Sequence, residues 1–301
     1  MIPVNQWVVS VLQILPRSVV KPFALRYIAG ETMEDAIRVV KVLNGHQVMG
    51  TMDILGEHVS RKEESLAAVR ACEQVLLAIH ENRLNSNLSI KLTQFGLKID
   101  EAFCYSNVTN LLDVAKRYGN FVRIDMEDAS MTDATLTLYE RLRAAGVEHA
   151  GVVIQAYLRR SEEDLRRLIP MKVNVRLCKG AYVEPEAIAF KEREEIRRNF
   201  LTLLKMLFDA KSYVAIATHD EYLIHQACDL IWEGHVQKED YEFQMLYGVK
   251  VSLREKLVAD GHRLRVYVPF GKEWYAYSMR RFKENPQMLR YVLGSLFSRR
   301  G

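Results

Sequence analysis

The segment from residue 173 to 182 has the sequence Val173-Asn174-Val175-Arg176-Leu177-Cys178-Lys179-Gly180-Ala181-Tyr182. Its first half alternates apolar with polar residues, as a β-strand does, and two cations and a glycine follow where the strand should end. A cation on a buried strand is costly unless an anionic group meets it, and Gly180 allows the backbone to approach a bulky group closely. The pattern suits a bound phosphate or an electron-rich ring, although a salt bridge that caps the strand is the simpler explanation for a lone Arg-x-x-Lys.

The composition is that of a globular protein with a large core. The chain has 301 residues, 49% of them hydrophobic, and a formal net charge of +4. Its basic residues are not clustered among exposed aromatics, so we do not expect a nucleic-acid partner. The four cysteines lie far apart without the spacing of metal ligands, which indicates reduced thiols, no metal site and a cytoplasmic location. The apolar run at residues 7–15 is too short to cross a bilayer, so we expect neither secretion nor a transmembrane segment.

Short apolar, β-branched runs recur along the chain and alternate with segments of helical pattern. The runs predict strands at residues 47–55, 88–93, 121–128, 151–157, 173–179, 213–219, 241–246 and 264–270, and helices are predicted at 60–81, 132–145, 161–169, 186–209 and 221–232. Eight strand units alternating with helices are typical of a (βα)8 barrel, in which functional groups lie at the carboxyl ends of the strands.

The first part of the chain is predicted to be a helical arm. An apolar stripe passes through Val8, Leu12 and Ile14, Pro16 interrupts it, and Thr32 is placed to cap a helix over residues 33–43. We therefore divide the chain into a helical N-terminal arm at residues 1–46 and a barrel domain at 47–301 that includes the C-terminal helices.

An open doubly wound sheet is the alternative fold, because the same alternation permits it. That fold would favour an early Gly-x-Gly-x-x-Gly turn, and the sequence contains neither this motif nor a P-loop. One barrel with a helical arm is the more economical interpretation.

Polar residues recur where the predicted strands end. They lie in the segments or at the positions Lys91, Asp125-Met126-Glu127-Asp128, Gln155, Tyr157, Arg176, Lys179, Thr218-His219-Asp220, Gln244 and Tyr267, of which only Met126 is apolar. Each has an ordinary explanation when taken alone, such as a loop cap, a hydrogen-bonded core histidine or a surface cation. Their recurrence on strand after strand predicts a functional site at one end of the barrel.

A segment after the last strand carries a separate signal. Tyr277, Arg280, Arg281 and Glu284 fall at i, i+3, i+4 and i+7, so a helix would present all four on one face. Paired guanidinium groups suit a planar carboxylate, and Glu284 could hold one of them in place. A solvated helix face with an ordinary ion pair is the other interpretation.

Seven segments together resemble the motif set of the proline dehydrogenase family. They are Ser89-Ile-Lys91-Leu, Arg123-Ile-Asp125-Met126-Glu127, Gln155-Ala-Tyr157, Val175-Arg176-Leu-Cys-Lys179-Gly180-Ala181-Tyr182, Ala217-Thr218-His219-Asp220, Glu242-Phe-Gln244-Met-Leu246-Tyr-Gly248 and Arg280-Arg281-Phe-Lys-Glu284-Asn285. They occur in order between about residues 88 and 286, and the chain lacks the fused aldehyde dehydrogenase of the bifunctional bacterial forms. The resemblance is therefore to the monofunctional enzymes.

The resemblance implies a distorted (βα)8 barrel that binds FAD without a covalent bond and oxidises L-proline to Δ1-pyrroline-5-carboxylate, passing the electrons to a quinone. It implies catalytic roles for Asp125 and Arg176. The cofactor-binding residues would be Met126, Gln155, Arg176, Lys179, Gly180, Ala181, Thr218 and His219. The substrate-binding residues would be Lys91, Leu246, Tyr267, Tyr277, Arg280, Arg281 and Glu284.

Two other classes of protein stay compatible with the residues. A lyase that uses a metal or a Schiff base would also place a lysine and carboxylates at strand ends, and a non-catalytic scaffold would carry the same charges as surface ion pairs. A peripheral contact with the inner face of the cell membrane also stays open, because the basic C-terminal segment 288–300 could be a surface-binding or a packing helix.

Overall fold

Eight parallel strands form a closed barrel in the computed structural model of the protein. The structure describes residues 17–56 and 59–284, without the side chains of residues 17–19, 23 and 280–284. Neighbouring strands pair in chain order, and the last strand pairs with the first. The (βα)8 prediction is confirmed, and the open doubly wound alternative is wrong because the sheet has no edge strands.

The strands are β1 (Met49–Ile54), β2 (Ser86–Ile90), β3 (Val122–Ile124), β4 (Ala150–Gln155), β5 (Asn174–Cys178), β6 (Tyr213–Ala217), β7 (Tyr241–Leu246) and β8 (Leu264–Phe270). The α-helices are α1 (Arg17–Ala24), α2 (Met33–Gly45), α3 (Lys62–Glu81), α4 (Glu101–Arg117), α5 (Thr132–Ala144), α6 (Ser161–Leu168), α7 (Arg193–Asp209), α8 (Glu221–Glu233), α9 (Val251–Ala259) and α10 (Trp274–Glu284). Short 3-10 turns lie at Ala129–Met131, Ile169–Met171 and Lys238–Asp240.

Most strand residues are buried, including polar ones such as Ser89 on β2 and Arg123 on β3. Every residue of β2 and β4 is buried, since one face meets the barrel interior and the other meets the layer of helices. Parallel strands of this kind show continuous apolar runs rather than strict alternation, which is why their positions could be predicted.

One predicted helix begins later than expected. Residues 186–192 do not belong to α7, because this part of the chain runs across the end of β4. Ala189 forms an isolated bridge with Leu158, and the Phe190 amide donates to the Tyr157 carbonyl oxygen at 2.7 Å. These backbone contacts compete with the helical turn that the sequence pattern favoured.

The helical arm meets the barrel at two places. The predicted N-cap is confirmed, since Thr32 Oγ1 accepts a hydrogen bond from the Asp35 amide at 3.2 Å at the start of α2. Helix α2 packs on β1 and β8 and shares their core through Val40 and Leu43, whereas α1 packs against α10. The division at residue 46 stays a prediction, and the predicted stripe through residues 8–14 lies outside the described residues. Among the described helices, none is both long and apolar enough to cross a membrane.

Candidate active site

A cavity of about 900 Å³ lies at the carboxyl ends of the barrel strands. Its wall includes many of the residues singled out in the sequence, namely Lys91, Asp125, Met126, Gln155, Arg176, Lys179, Gly180, Ala181, Thr218, His219, Leu246, Tyr267 and Tyr277. Of the residues that the family resemblance places in the site, the other three, Arg280, Arg281 and Glu284, lie on α10, and their side chains are outside the described part of the chain. Two of the predicted strand-end residues, Asp128 and Tyr157, are not part of this wall. The barrel thus brings together side chains that are as many as 186 residues apart in sequence, as Lys91 and Tyr277 show.

Asp125, just beyond β3, is the centre of the polar groups in the cavity. Its Oδ1 accepts hydrogen bonds from Ser89 Oγ and Arg176 Nη1, both at 2.6 Å, and its Oδ2 accepts one from the Tyr267 hydroxyl at 2.8 Å. Burial alone would raise the pKa of Asp125, but the cations of Arg176 and Lys91 outweigh burial and hold this pKa below its usual value. Asp125 is therefore an ionised partner for cations rather than a strong proton acceptor.

Lys91, just beyond β2, lies between two carboxylates. Its Nζ is 2.5 Å from Asp53 Oδ1 and 3.7 Å from Asp125 Oδ2. Burial lowers the pKa of Lys91, but Asp53 and Asp125 raise it more, so the net shift is upward and the amine stays protonated. The pKa of Asp53 is also raised, but here burial is the main cause. Burial and the charge of Asp125 raise this pKa more than Lys91 lowers it. Asp53 was missed in the sequence, where the only signal was a carboxylate within the first apolar run.

Arg176 on β5 is held from two sides. Nη1 donates to Asp125, and Nε donates to Gln244 Oε1 at 2.6 Å. The Gln244 amide in turn donates to Glu242 Oε1 at 2.6 Å, and Arg265 pairs with both oxygens of Glu242 at 2.8 and 3.1 Å. The sequence indicated Gln244 as a polar strand end but gave it no role, and its contact with Arg176 supplies one.

Besides Asp53 Oδ2 on β1, two buried polar atoms of residues on the cavity wall lack a hydrogen-bond partner within the described residues. They are Nη2 of Arg176, which is a donor, and Oε1 of Gln155, which is an acceptor. The two side chains lie on neighbouring strands, since Val153 of β4 pairs with Arg176 and Gln155 with Cys178. An unsatisfied buried polar group costs about 1–3 kcal/mol, so both atoms favour a polar ligand that supplies their partners.

The other end of the cavity is basic and adjoins the start of α8. Asp220 precedes this helix and pairs with Lys179 at 3.2 Å and with Arg197 at 2.7 Å. Burial would raise the pKa of Asp220, but the hydrogen bond from Arg197 and the charge of Lys179 lower it more. Lys179 and backbone amides at a helix N-terminus together form a suitable environment for a phosphate group.

Gly180 is required by the local backbone. Its φ of +112° lies in a region that other residues seldom adopt, and a Cβ there would come within 2.0 Å of the Tyr157 ring. The sequence suggested that this glycine makes room for a ligand. The atoms nearest to a Cβ at this position belong instead to the Tyr157 ring, which is not part of the cavity wall.

Helix α10 contributes Tyr277 to the cavity wall, and α1 packs against α10. Tyr277 of α10 lines the cavity and packs in a buried cluster with Val20 and Ala24 of α1. Trp274 of α10 also ties this helix to the segment between α1 and α2, since its Nε1 donates to Glu31 Oε1 at 2.8 Å. The helix that carries Arg280 and Arg281 is thus held over the carboxyl ends of the strands.

Comparison with known proteins finds one family. A family model described as proline dehydrogenase matches residues 36–292. Proline dehydrogenase 1 of Bacillus subtilis is 39% identical over 276 residues, covering 92% of this chain and 91% of that protein. Proline dehydrogenase of Deinococcus radiodurans is 35% identical over 274 residues, covering 90% of this chain and 88% of the relative.

A solved structure has the same architecture. It is that of proline utilization A from Bdellovibrio bacteriovorus inactivated by N-propargylglycine, with a TM-score of 0.83 and 25% identity. The match covers 90% of this chain but only 34% of that one, so the similarity concerns about a third of the larger protein.

Proposed function

Since the chain belongs to the proline dehydrogenase family, we propose that it oxidises L-proline to Δ1-pyrroline-5-carboxylate with a non-covalently bound FAD. Proline oxidation, the first step of proline catabolism, is the activity of the family. The cofactor, the roles of individual residues and the electron acceptor are the parts that we propose.

The observation that carries the cofactor assignment is the pair of unpartnered atoms on β4 and β5. An isoalloxazine ring has an edge on which an imide N–H lies between two carbonyl oxygens. Such an edge offers an acceptor to Arg176 Nη2 and a donor to Gln155 Oε1, so it could satisfy both buried groups. When bound, FAD supplies the acceptor for the hydride that leaves proline C5.

The diphosphate of FAD would lie at the basic end of the cavity. Lys179 offers an ammonium group there, and Thr218 and His219 lead into the first turn of α8. The His219 side chain is held in place because its Nε2 accepts a hydrogen bond from the Leu246 amide at 2.8 Å. Gly180 and Ala181 would contribute backbone amides to the same region, and Met126 would pack beside the ring.

Charge balance explains why the substrate needs cations from α10. Four charged groups of the cavity wall are joined by ion pairs, and these groups, Asp53, Asp125, Lys91 and Arg176, comprise two anions and two cations. They therefore offer no surplus positive charge to the carboxylate of proline. Arg280 and Arg281 would supply that charge, with Glu284 restraining them, while Leu246, Tyr267 and Tyr277 enclose the apolar ring.

In this arrangement the protein acts by orientation and electrostatics. Clamping the substrate carboxylate fixes the direction of C5, and such orientation can contribute several kcal/mol to catalysis, about 7–11 at most. Arg176 places positive charge where negative charge develops on the cofactor during the reaction. Asp125 acts by holding Arg176 and Tyr267 in place rather than by taking a proton.

The Schiff-base form of the lyase alternative is disfavoured by the state of Lys91. A Schiff-base lysine must be neutral to attack a carbonyl group, and a lowered pKa is the usual device. Asp53 and Asp125 instead raise the pKa of Lys91 and keep it protonated.

The electron acceptor is proposed to be a quinone that approaches from the open side of the cavity, at the inner face of the cell membrane. Tyr182 lines the cavity and is 40% exposed, and the adjacent Val183 is 99% exposed, so the loop beside Lys179 carries apolar surface. Steady-state reduction of a short-chain quinone by proline tests this assignment. We expect Val183→Glu to slow the reduction of the quinone without changing the anaerobic reduction of the flavin by proline. Identical quinone kinetics in the variant and the wild type would contradict the proposed approach of the quinone.

The decisive experiment for the cofactor uses the purified protein. We expect a yellow protein with one FAD per chain, whose visible absorbance is lost when proline is added without oxygen. A colourless protein, or a yellow one that proline does not bleach, would refute the proposed function.

A further inference from the structure

A line of polar side chains runs below the cavity floor from β8 to β5. Arg265 pairs with both oxygens of Glu242, Gln244 donates to Glu242 Oε1, and Arg176 donates to Gln244 Oε1. Gln244 and Arg176 line the cavity, whereas Glu242 and Arg265 are not part of its wall. Glu242 is only 2% exposed and is not part of the cavity wall, so it can influence a bound molecule only through another residue or through its charge.

The chemistry of its two neighbours, Glu242 and Arg176, determines how the side-chain amide of Gln244 is oriented. Burial would raise the pKa of Glu242, but the charge and hydrogen bonds of Arg265, with those of Gln244 and Tyr213, lower it to about 2. Glu242 is therefore an ionised group that only accepts hydrogen bonds, and the guanidinium of Arg176 only donates them. Gln244 can satisfy both neighbours in one orientation, with its NH2 group toward Glu242 and its oxygen toward Arg176.

We propose that Glu242 is a positioning residue that fixes the amide of Gln244 and thereby aims the unpartnered Nη2 of Arg176 at the cofactor ring. The inference rests on the proposed function, because it requires FAD in the cavity. Rotation of the Gln244 amide would bring its NH2 group against Arg176 Nε, donor against donor, and would displace the guanidinium. Glu242 thus governs how well the cation stabilises a reduced, negatively charged ring.

The sign of the effect separates this role from simple electrostatics. Loss of the Glu242 charge leaves the neighbourhood more positive, so a direct Coulomb effect would make the flavin midpoint potential more positive. Loss of Gln244 orientation withdraws Arg176 from the ring and makes the potential more negative. The two explanations predict shifts in opposite directions.

The experiment measures the midpoint potential of the FAD-loaded protein for Glu242→Gln, Gln244→Met and the double variant. We expect the potential to become more negative in both single variants, with kcat reduced about tenfold and KM for proline changed by less than about twofold. In the double variant we expect no further shift beyond Gln244→Met, because Glu242 acts through that amide.

A companion variant, Glu242→Gln with Arg265→Gln, removes both buried charges and leaves the net charge unchanged. We expect it to lower the potential as Glu242→Gln does, and it serves as the test if the single variant does not fold around an unpaired Arg265. FAD content and thermal unfolding identify folded preparations.

A midpoint potential that is unchanged or more positive in the Glu242 variants would overturn the inference, and so would an unchanged potential in Gln244→Met. The inference would also be overturned if Glu242→Gln shifted the potential of Gln244→Met as much as it shifts that of the wild type. Each of these results leaves a yellow enzyme that proline bleaches. A protein without FAD, or one that proline does not reduce, would instead refute the proposed function.

Discussion

Asp125 and Arg176 form an ion pair at the mouth of the barrel, with Arg176 Nη1 2.6 Å from Asp125 Oδ1. The two side chains are 13% and 8% exposed, so water provides little compensation for either charge. Removing one partner of a buried pair is far more costly than replacing both, because it leaves an isolated charge. The pair also links β3 to β5 across the cavity, and this link gives the first prediction.

We expect Asp125→Asn to lower the free energy of unfolding by about 3 kcal/mol and kcat/KM for proline by more than tenfold. The amide keeps the shape of the carboxylate but cannot accept from Ser89, Arg176 and Tyr267 with the same charge. The matched control is Asp133→Asn, because Asp133 also meets an arginine but is 75% exposed. We expect Asp133→Asn to lower the free energy of unfolding by less than about 1 kcal/mol. If Asp125→Asn lowered it equally little, the role given to Asp125 would be contradicted.

The sequence predicted the barrel and the end at which its polar groups meet, because both depend on local patterns. Buried parallel strands leave apolar runs such as 213–219, and parallel strands direct their carboxyl ends to one side. The sequence left two alternatives open for the strand end at Arg176, a salt bridge and a bound phosphate or ring, and the structure shows the salt bridge, whereas the bound group stays a proposal. Arg176 is in a salt bridge with Asp125, as the simpler explanation required, and its buried Nη2 donor has no partner among the described residues.

What the sequence could not predict depends on contacts between distant segments. Asp53 resembled an ordinary polar residue in a strand, and only the position of Lys91 gives it a charged partner. The start of α7 was misplaced because the backbone of residues 158 and 189 pairs across the chain. The orientation of Gln244 likewise requires knowledge of which charges lie on each side of it.

The second prediction concerns the paired arginines of α10. We expect Arg280→Met and Arg281→Met each to raise KM for proline, with a loss of about 2–5 kcal/mol in substrate binding, while FAD content stays normal. Arg38→Met on α2 is the control, because Arg38 lies outside the wall of the site cavity and pairs with Asp35 on an exposed surface. An unchanged KM in both α10 variants would exclude a carboxylate clamp at these positions.

The third prediction is the pH dependence of the buried pair between Glu242 and Arg265. The pKa of Glu242 falls from 4.5 to about 2 on folding, so ionised Glu242 stabilises the folded state. That stabilisation, roughly 3 kcal/mol from the shift, is complete above the unfolded pKa and is lost as the pH falls toward the folded pKa. Urea unfolding at several pH values should therefore show the largest difference between wild type and Glu242→Gln above about pH 5, and a smaller one near pH 3.

A difference in unfolding free energy that stayed constant from pH 7 to pH 3 would contradict this account of Glu242. Lys205 and Asp209 provide a comparison, because both are more than 60% exposed and pair within one helix. We expect Asp209→Asn to change stability by less than about 1 kcal/mol at every pH.

The last prediction concerns substrate choice and depends on Tyr277, one helical turn before Arg281 on α10. Tyr277 lines the cavity, is 8% exposed and packs against α1, so its ring has little room to move aside. With the carboxylate clamped and C5 held toward the cofactor, ring carbon C4 would face this wall, and a hydroxyl group on C4 would collide with it. Discrimination against one added group is usually worth about 1–3 kcal/mol, so we expect L-proline to be preferred over trans-4-hydroxy-L-proline at least tenfold in kcat/KM.

The variant Tyr277→Ser should narrow that ratio, mainly through lower activity on proline, and kinetics of both enzymes on both substrates measure it. If the wild type used the two substrates equally, or if the ratio were unchanged in the variant, Tyr277 would not form the C4 wall and its contribution would be confined to the packing of α10 on α1.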